Sequence, residues 1–104
     1  MIAISATNRK LIASLDLRFE KCPWFLIVEN NQTYFIENPY QSDNDRASKV
    51  VDMLLKEKVT KIITGEIGPK SKQLLGKYEI PLIFLSGYKV SLQYIVNLVS
   101  NSME

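Results

Sequence analysis

Cys22 is the most reactive side chain in this sequence, preceded directly by Lys21 and closely by Arg18. Nearby cations lower a thiol pKa and favour the thiolate, the form that ligates soft metals. The competing reading is a small apolar residue packed beneath a loop. A second stretch with chemical potential is Gly65-Glu66-Ile67-Gly68-Pro69-Lys70. Its two glycines bracket a tight turn, and Pro69 falls where a helix begins and a missing N–H does no harm. The free N–H groups of such a turn point outward and, with Lys70 adding charge, offer an anion site. Glu66 works against that reading, because a carboxylate there repels an anion or takes the helix terminus itself. The spacing fits neither the P-loop nor the three-glycine dinucleotide fingerprint.

Other chemistry is excluded by composition. Histidine is absent, which removes the commonest general base, the Ser/His and Cys/His pairs and any imidazole-ligated metal. A single cysteine excludes an intramolecular disulfide. Glu29 and Glu37 lie at strand ends, while Asp43 and Asp45 read as helix caps, so no acid/base pair assembles. No catalytic constellation results, and the chain is expected not to be an enzyme. Net charge is +2, and the basic residues are scattered without a block, so no nucleic-acid partner is expected. No apolar run approaches the roughly 18–20 residues of a membrane span. The N-terminus enters an apolar strand with no charged leader, so a cytoplasmic location is expected. With 104 residues and 46% hydrophobic content, the expectation is one globular domain over 1–104.

The elements that must position these groups follow from hydrophobic spacing. Ile2–Ala6 is apolar on both faces and reads as a central strand. Residues 7–21 mix charged and apolar types and read as an ordered loop, long enough to be functional. Trp24–Glu29 and residues 33–37 form an antiparallel hairpin across Asn30-Asn31-Gln32, since asparagine tolerates left-handed turn conformations. Ala47, Val50, Val51, Leu54 and Leu55 make the apolar stripe of an amphipathic helix. Residues 59–64 return as strand, Pro69–Lys77 as helix, 80–85 as the last strand, and 89–101 as the last helix after a Ser86-Gly87 turn. The parallel β-α-β unit is right-handed, and the result is a mixed five-stranded α/β sheet with the hairpin at an edge, flanked by about three helices.

Two segments together are similar to a known family. Residues 18–29, Arg-Phe-Glu-Lys-Cys-Pro-Trp-Phe-Leu-Ile-Val-Glu, resemble a signature of the dinitrogenase iron–molybdenum cofactor biosynthesis family. Glu37-Asn38-Pro39 and Thr64-Gly65-Glu66-Ile67-Gly68-Pro69-Lys70 resemble two further motifs of that family, in the same order. The family includes NifX and the C-terminal part of NifB. The resemblance implies a ribonuclease-H-like three-layer fold and a non-enzymatic carrier of an iron–molybdenum or iron–sulfur cluster. It also implies a cofactor-donor or acceptor protein as partner, and leaves the oligomeric state open. Loop 7–22 and the turns at 38–46 and 65–68 would form the binding edge. Cofactor binding would then fall to Arg18, Lys21, Cys22, Gly65, Glu66, Ile67, Gly68 and Lys70, with Cys22 as the metal ligand. Ribonuclease-type catalysis is not expected, because residues 2–6 and 59–64 contain no carboxylate. Some positions depart from the family pattern. Phe19-Glu20-Lys21 stands where the family has Phe-Gly-Arg, residues 40–46 lack glycine, and the histidines of some members are missing. These departures carry an alternative expectation: an anion, small-ligand or protein-interaction module without metal.

Overall fold

The structure, a computed structural model, describes residues 1–86 and 89–102, the last two of these by backbone alone. Its elements in chain order are β1 (Ile2–Ala6), β2 (Trp24–Glu29), β3 (Gln32–Glu37), α1 (Arg46–Lys56), β4 (Lys61–Thr64), α2 (Pro69–Lys77), β5 (Leu82–Phe84) and α3 (Leu92–Ser102). The five strands form one sheet in the order β3-β2-β1-β4-β5. β1 is fully buried along its length and pairs antiparallel with β2 and parallel with β4. β2 and β3 are the antiparallel hairpin, and β5 adds a parallel edge beside β4. This is the ribonuclease-H-like, three-layer α/β arrangement.

Alternation along the strands divides the core. Ala3, Phe25, Ile27 and Ile62 face one side, where Val50, Val51 and Leu54 of α1 and Leu75 of α2 cover them. Ile2, Ile4, Leu26, Val28 and Ile63 face the other, beneath Leu92, Ile95 and Val96 of α3. The side chains at 50, 51 and 54 explain why α1 forms, since their spacing aligns them on one stripe.

Four boundaries differ from the sequence expectation. β5 is shorter than 80–85, spanning Leu82–Phe84, because the Ile80 N–H bonds back to the Leu75 carbonyl at the end of α2. Gln32 belongs to β3, because Asn30 and Asn31 both take positive φ (49° and 67°) and close the hairpin as a two-residue turn. Val59 and Thr60 precede β4; Lys58 ends the α1 connection at φ 67°, and the Val59 N–H bonds back to the Leu54 carbonyl. The last helix begins at Leu92 rather than 89. The Val90 carbonyl is taken by the Leu15 N–H at 2.7 Å, and the Ser91 hydroxyl accepts the Tyr94 N–H as a helix-start cap. Gly87 of the expected turn lies outside the described residues.

Candidate functional site at the carboxyl edge of the sheet

The parallel strands β1, β4 and β5 end on the same edge, and so does β3 next to the start of β2. Four connections therefore meet there: 7–23, 38–45, 65–68 and the one from β5 to α3, described at 85–86 and 89–91. Carboxyl ends of parallel strands are where open α/β sheets bind ligands, because loops rather than ladder bonds occupy that space.

The long connection after β1 is pinned along its course. The Thr7 N–H bonds to the Ser14 carbonyl, Asp16 N–H to Ser5 carbonyl at 2.8 Å, and Phe19 N–H to Glu66 carbonyl at 3.1 Å. The Glu66 N–H in return donates to the Leu17 carbonyl, so part of the turn's donor set is already spent on the loop. Gly65 makes this approach feasible: a Cβ there would sit 2.7 Å from the Leu17 Cα. Asn38, fully buried, closes the other end. Its amide donates to the carbonyls of Glu20 at 3.0 Å and Cys22 at 2.8 Å, while its side-chain oxygen accepts the Tyr40 N–H. The conspicuous Glu37-Asn38-Pro39 motif thus holds the loop that carries Arg18 and Lys21.

These restraints form a cleft of about 440 Å³ lined by polar Thr7, Asp16, Arg18, Glu66 and Lys89 over a floor that includes Leu15 and Val90. Arg18 grips buried Asp16 through Nε (3.0 Å) and Nη2 (2.9 Å), a fork-like pair that leaves Nη1 free. Bonding to Asp16 and its negative charge hold the Arg18 guanidinium above its ordinary pKa, so it remains a cation. Beside the cleft, Arg18, Lys21, Glu66, Ile67 and Gly68 line a smaller hollow of about 190 Å³. Five of the eight residues expected at the site are thereby brought together.

The other three stand elsewhere. Gly65 lies under Leu17. Lys70 turns to Asp45, with Nζ 2.9 Å from the carboxylate, and its bond holds that carboxyl below its usual range. Cys22 is fully buried in the core beneath α1, and its Sγ donates to the Phe19 carbonyl at 3.3 Å. The pKa expectation for this thiol is reversed: burial dominates and pushes it up, with Asp16 adding to the rise and Arg18 opposing it weakly.

Glu20 gives the α2 terminus its own anion. Its carboxylate accepts a short bond from the buried Ser71 hydroxyl in the first turn of α2 and lies 3.6 Å from the Arg46 Nε. That placement answers the opening reading of the glycine turn, since an internal carboxylate already sits at the helix start. Among the described residues no group of three histidine, cysteine or acidic side chains could hold a metal ion. Sequence reasoning placed Asp16 and Arg46 within the segments of the binding edge without singling them out, and missed Lys89 altogether. The signal was topological: every connection leaving a parallel strand end, including that after β5, had to arrive here.

The profile of the dinitrogenase iron-molybdenum cofactor family matches residues 1–92. The chain belongs to that family. This family assignment associates it with small proteins of iron–molybdenum cofactor binding or biosynthesis. Among solved structures, it is similar to the apo form of the orange protein from Desulfovibrio gigas. The TM-score is 0.84 at 23% identity, covering 97% of this chain and 87% of that one. A putative NifB protein from Thermotoga, described as belonging to the DUF35 family, superimposes with TM-score 0.79 at 19% identity, covering 96% and 86%. At these identities the likeness bears on the fold. No curated protein matches the sequence. No helix among the described residues is long and apolar enough to cross a membrane.

Proposed function

We propose that this family member is a non-enzymatic carrier whose cargo is an anionic metal–sulfur cluster, of iron–molybdenum-cofactor or iron–sulfur type. The observation that carries the reading is the meeting of four connections at one sheet edge around cationic Arg18, Lys21 and Lys89, in a chain of this family. The donor set fits a cargo held from outside its metal shell. The one thiol, Cys22, is buried and protonated, while guanidinium and ammonium groups line the openings. Arg18 would meet cluster sulfur or carboxylate oxygen with its free Nη1. Lys21 and Lys89 would supply compact charge, and the apolar floor at Leu15 and Val90 would exclude water and strengthen these contacts. Binding without coordination leaves the cluster transferable, which suits delivery to or from a second protein.

Anaerobic reconstitution tests this directly. Wild type and Cys22→Ala are expected to retain iron and molybdenum alike after gel filtration, whereas Arg18→Glu with Lys89→Glu loses most of it. Failure of the wild type to retain any cluster overturns the carrier reading. The Glu20 carboxylate at the α2 start favours the rival reading, a module without metal. Tight retention of a metal-free ligand under the same conditions would establish that rival.

A further inference from the structure

On the α1 side of the loop lies a third opening, separate from the cleft. Arg18, Lys21, Gln41, Ser42 and Arg46 line a predominantly polar hollow of about 360 Å³. Three of its five lining residues are cations and none is acidic, in a chain whose whole net charge is only +2. The arrangement is built rather than incidental. Gln41 is fixed by donating from Nε2 to the Asn38 carbonyl at 3.2 Å, and Asn38 in turn fixes the backbone on both sides of Lys21. Arg46 opens α1, and its Nε is buried without a hydrogen-bond partner; the Glu20 carboxylate is 3.6 Å away, beyond good bonding distance. Arg46 is thus held only loosely by Glu20, and its guanidinium, which lines the hollow, has more donors than that one ion pair uses.

We propose that this hollow is a binding site for a tetrahedral oxyanion, of the size and charge of sulfate, phosphate or molybdate. Arg46 and the free edge of Arg18 supply planar donor forks, Lys21 a point charge, and Gln41 and Ser42 neutral polar groups. Asp16 and Glu20 sit behind the two arginines and offset part of their charge. Glu20 therefore competes with the incoming anion for Arg46, and the site favours a dianion over a monoanion. Arg18 and Lys21 border both this hollow and the openings of the carrier reading, but the ligand here is a simple oxyanion rather than a metal–sulfur cluster, so the two can be tested separately.

Calorimetric titration of the full chain with sodium molybdate, sulfate and phosphate, in a buffer free of these ions, tests it. The expected result is saturable one-to-one binding of the dianions, with acetate giving none. Arg46→Ala and Lys21→Ala should each weaken binding by about tenfold, the scale of one charge-assisted hydrogen bond. Arg46→Lys, which keeps the charge but not the fork, should fall between wild type and Arg46→Ala. Glu20→Gln should tighten binding severalfold, while Lys58→Ala, beyond the far end of α1, should change it less than about twofold. Absence of saturable binding by the wild type, or equal weakening by Lys58→Ala, overturns the site. If oxyanion binding fails while reconstituted protein still retains iron and molybdenum, the carrier reading stands and this site does not.

Discussion

Replacing Asn38 by alanine strips three hydrogen-bonding groups of their partner: the buried Cys22 carbonyl and the partly buried Glu20 carbonyl and Tyr40 N–H. Each such loss is worth roughly 1 kcal/mol or more, so Asn38→Ala is expected to destabilise the fold by about 2–4 kcal/mol in urea unfolding. Asn38→Asp should be no better, because an ionised carboxylate cannot donate to two carbonyls. A cost well under 1 kcal/mol would show that the loop is held by other means. Cys22 gives a pH signature with a definite sign. Its folded pKa is raised by burial above the unfolded value of about 8.5, so the folded state keeps the proton after the unfolded chain has lost it. Its contribution is therefore complete below about pH 8.5 and declines as pH rises further, by at most about 1.4 kcal/mol per pH unit. Cys22→Ala should lack that alkaline decline, so the difference between wild-type and variant stability should shrink as pH rises above about 8.5. Its thiol should also react with Ellman's reagent only on unfolding. The misleading signal in the sequence was local: Arg18 and Lys21 are visible as neighbours, but the depth of Cys22 beside Phe19 and Val50 is not.

At the scale of elements, two glycines separate close packing from mere backbone choice. A Cβ on Gly65 would meet backbone and side-chain atoms of Leu17 at 2.5–2.8 Å, so Gly65→Ala must push the loop away from the turn. It should cost about 1–3 kcal/mol and loosen the Arg18 and Glu66 wall, lowering cluster retention together with stability. Gly76 lies within α2 with nothing within 4 Å of an added Cβ, so Gly76→Ala should stabilise by about 0.5–1 kcal/mol. Opposite signs at the two positions in thermal melts check the packing directly. The same contrast explains what could be read from the chain. Ile2–Ala6, Trp24–Glu29 and Pro69–Lys77 were legible because an apolar run, a hairpin turn and a proline at the helix start are local signals. The start of α3 was not, because Val90 and Ser91 are held by Leu15 and Ser14, partners supplied by a distant loop.

The whole molecule places its stable and adaptable parts at different heights along the sheet. β1 is buried on both faces, and β2 and β4 flank it with their own buried residues, so these strands have both core clusters to lose on opening. Connections 7–23 and 65–68, with residues 85–86 and 89–91, lie at the carboxyl edge with fewer ladder bonds, while the Asn30-Asn31 turn sits at the opposite end. The edge was foreseeable once the strand order was known, but the distribution of charge over it was not. Glu20 reaching Ser71, Lys70 reaching Asp45 and Arg46 facing the hollow are all contacts between segments far apart in sequence. Hydrogen exchange should reflect this division. Amides of β1, β2 and β4 should exchange slowest, near the rate set by global unfolding, and those of the carboxyl-edge connections much sooner. Loading with cluster should slow exchange at 7–23, 65–68, 85–86 and 89–90 and leave the Asn30-Asn31 turn unchanged, because only the former segments line the openings. Protection confined to the hairpin turn, or spread evenly over every element, would place the cargo somewhere other than the carboxyl edge.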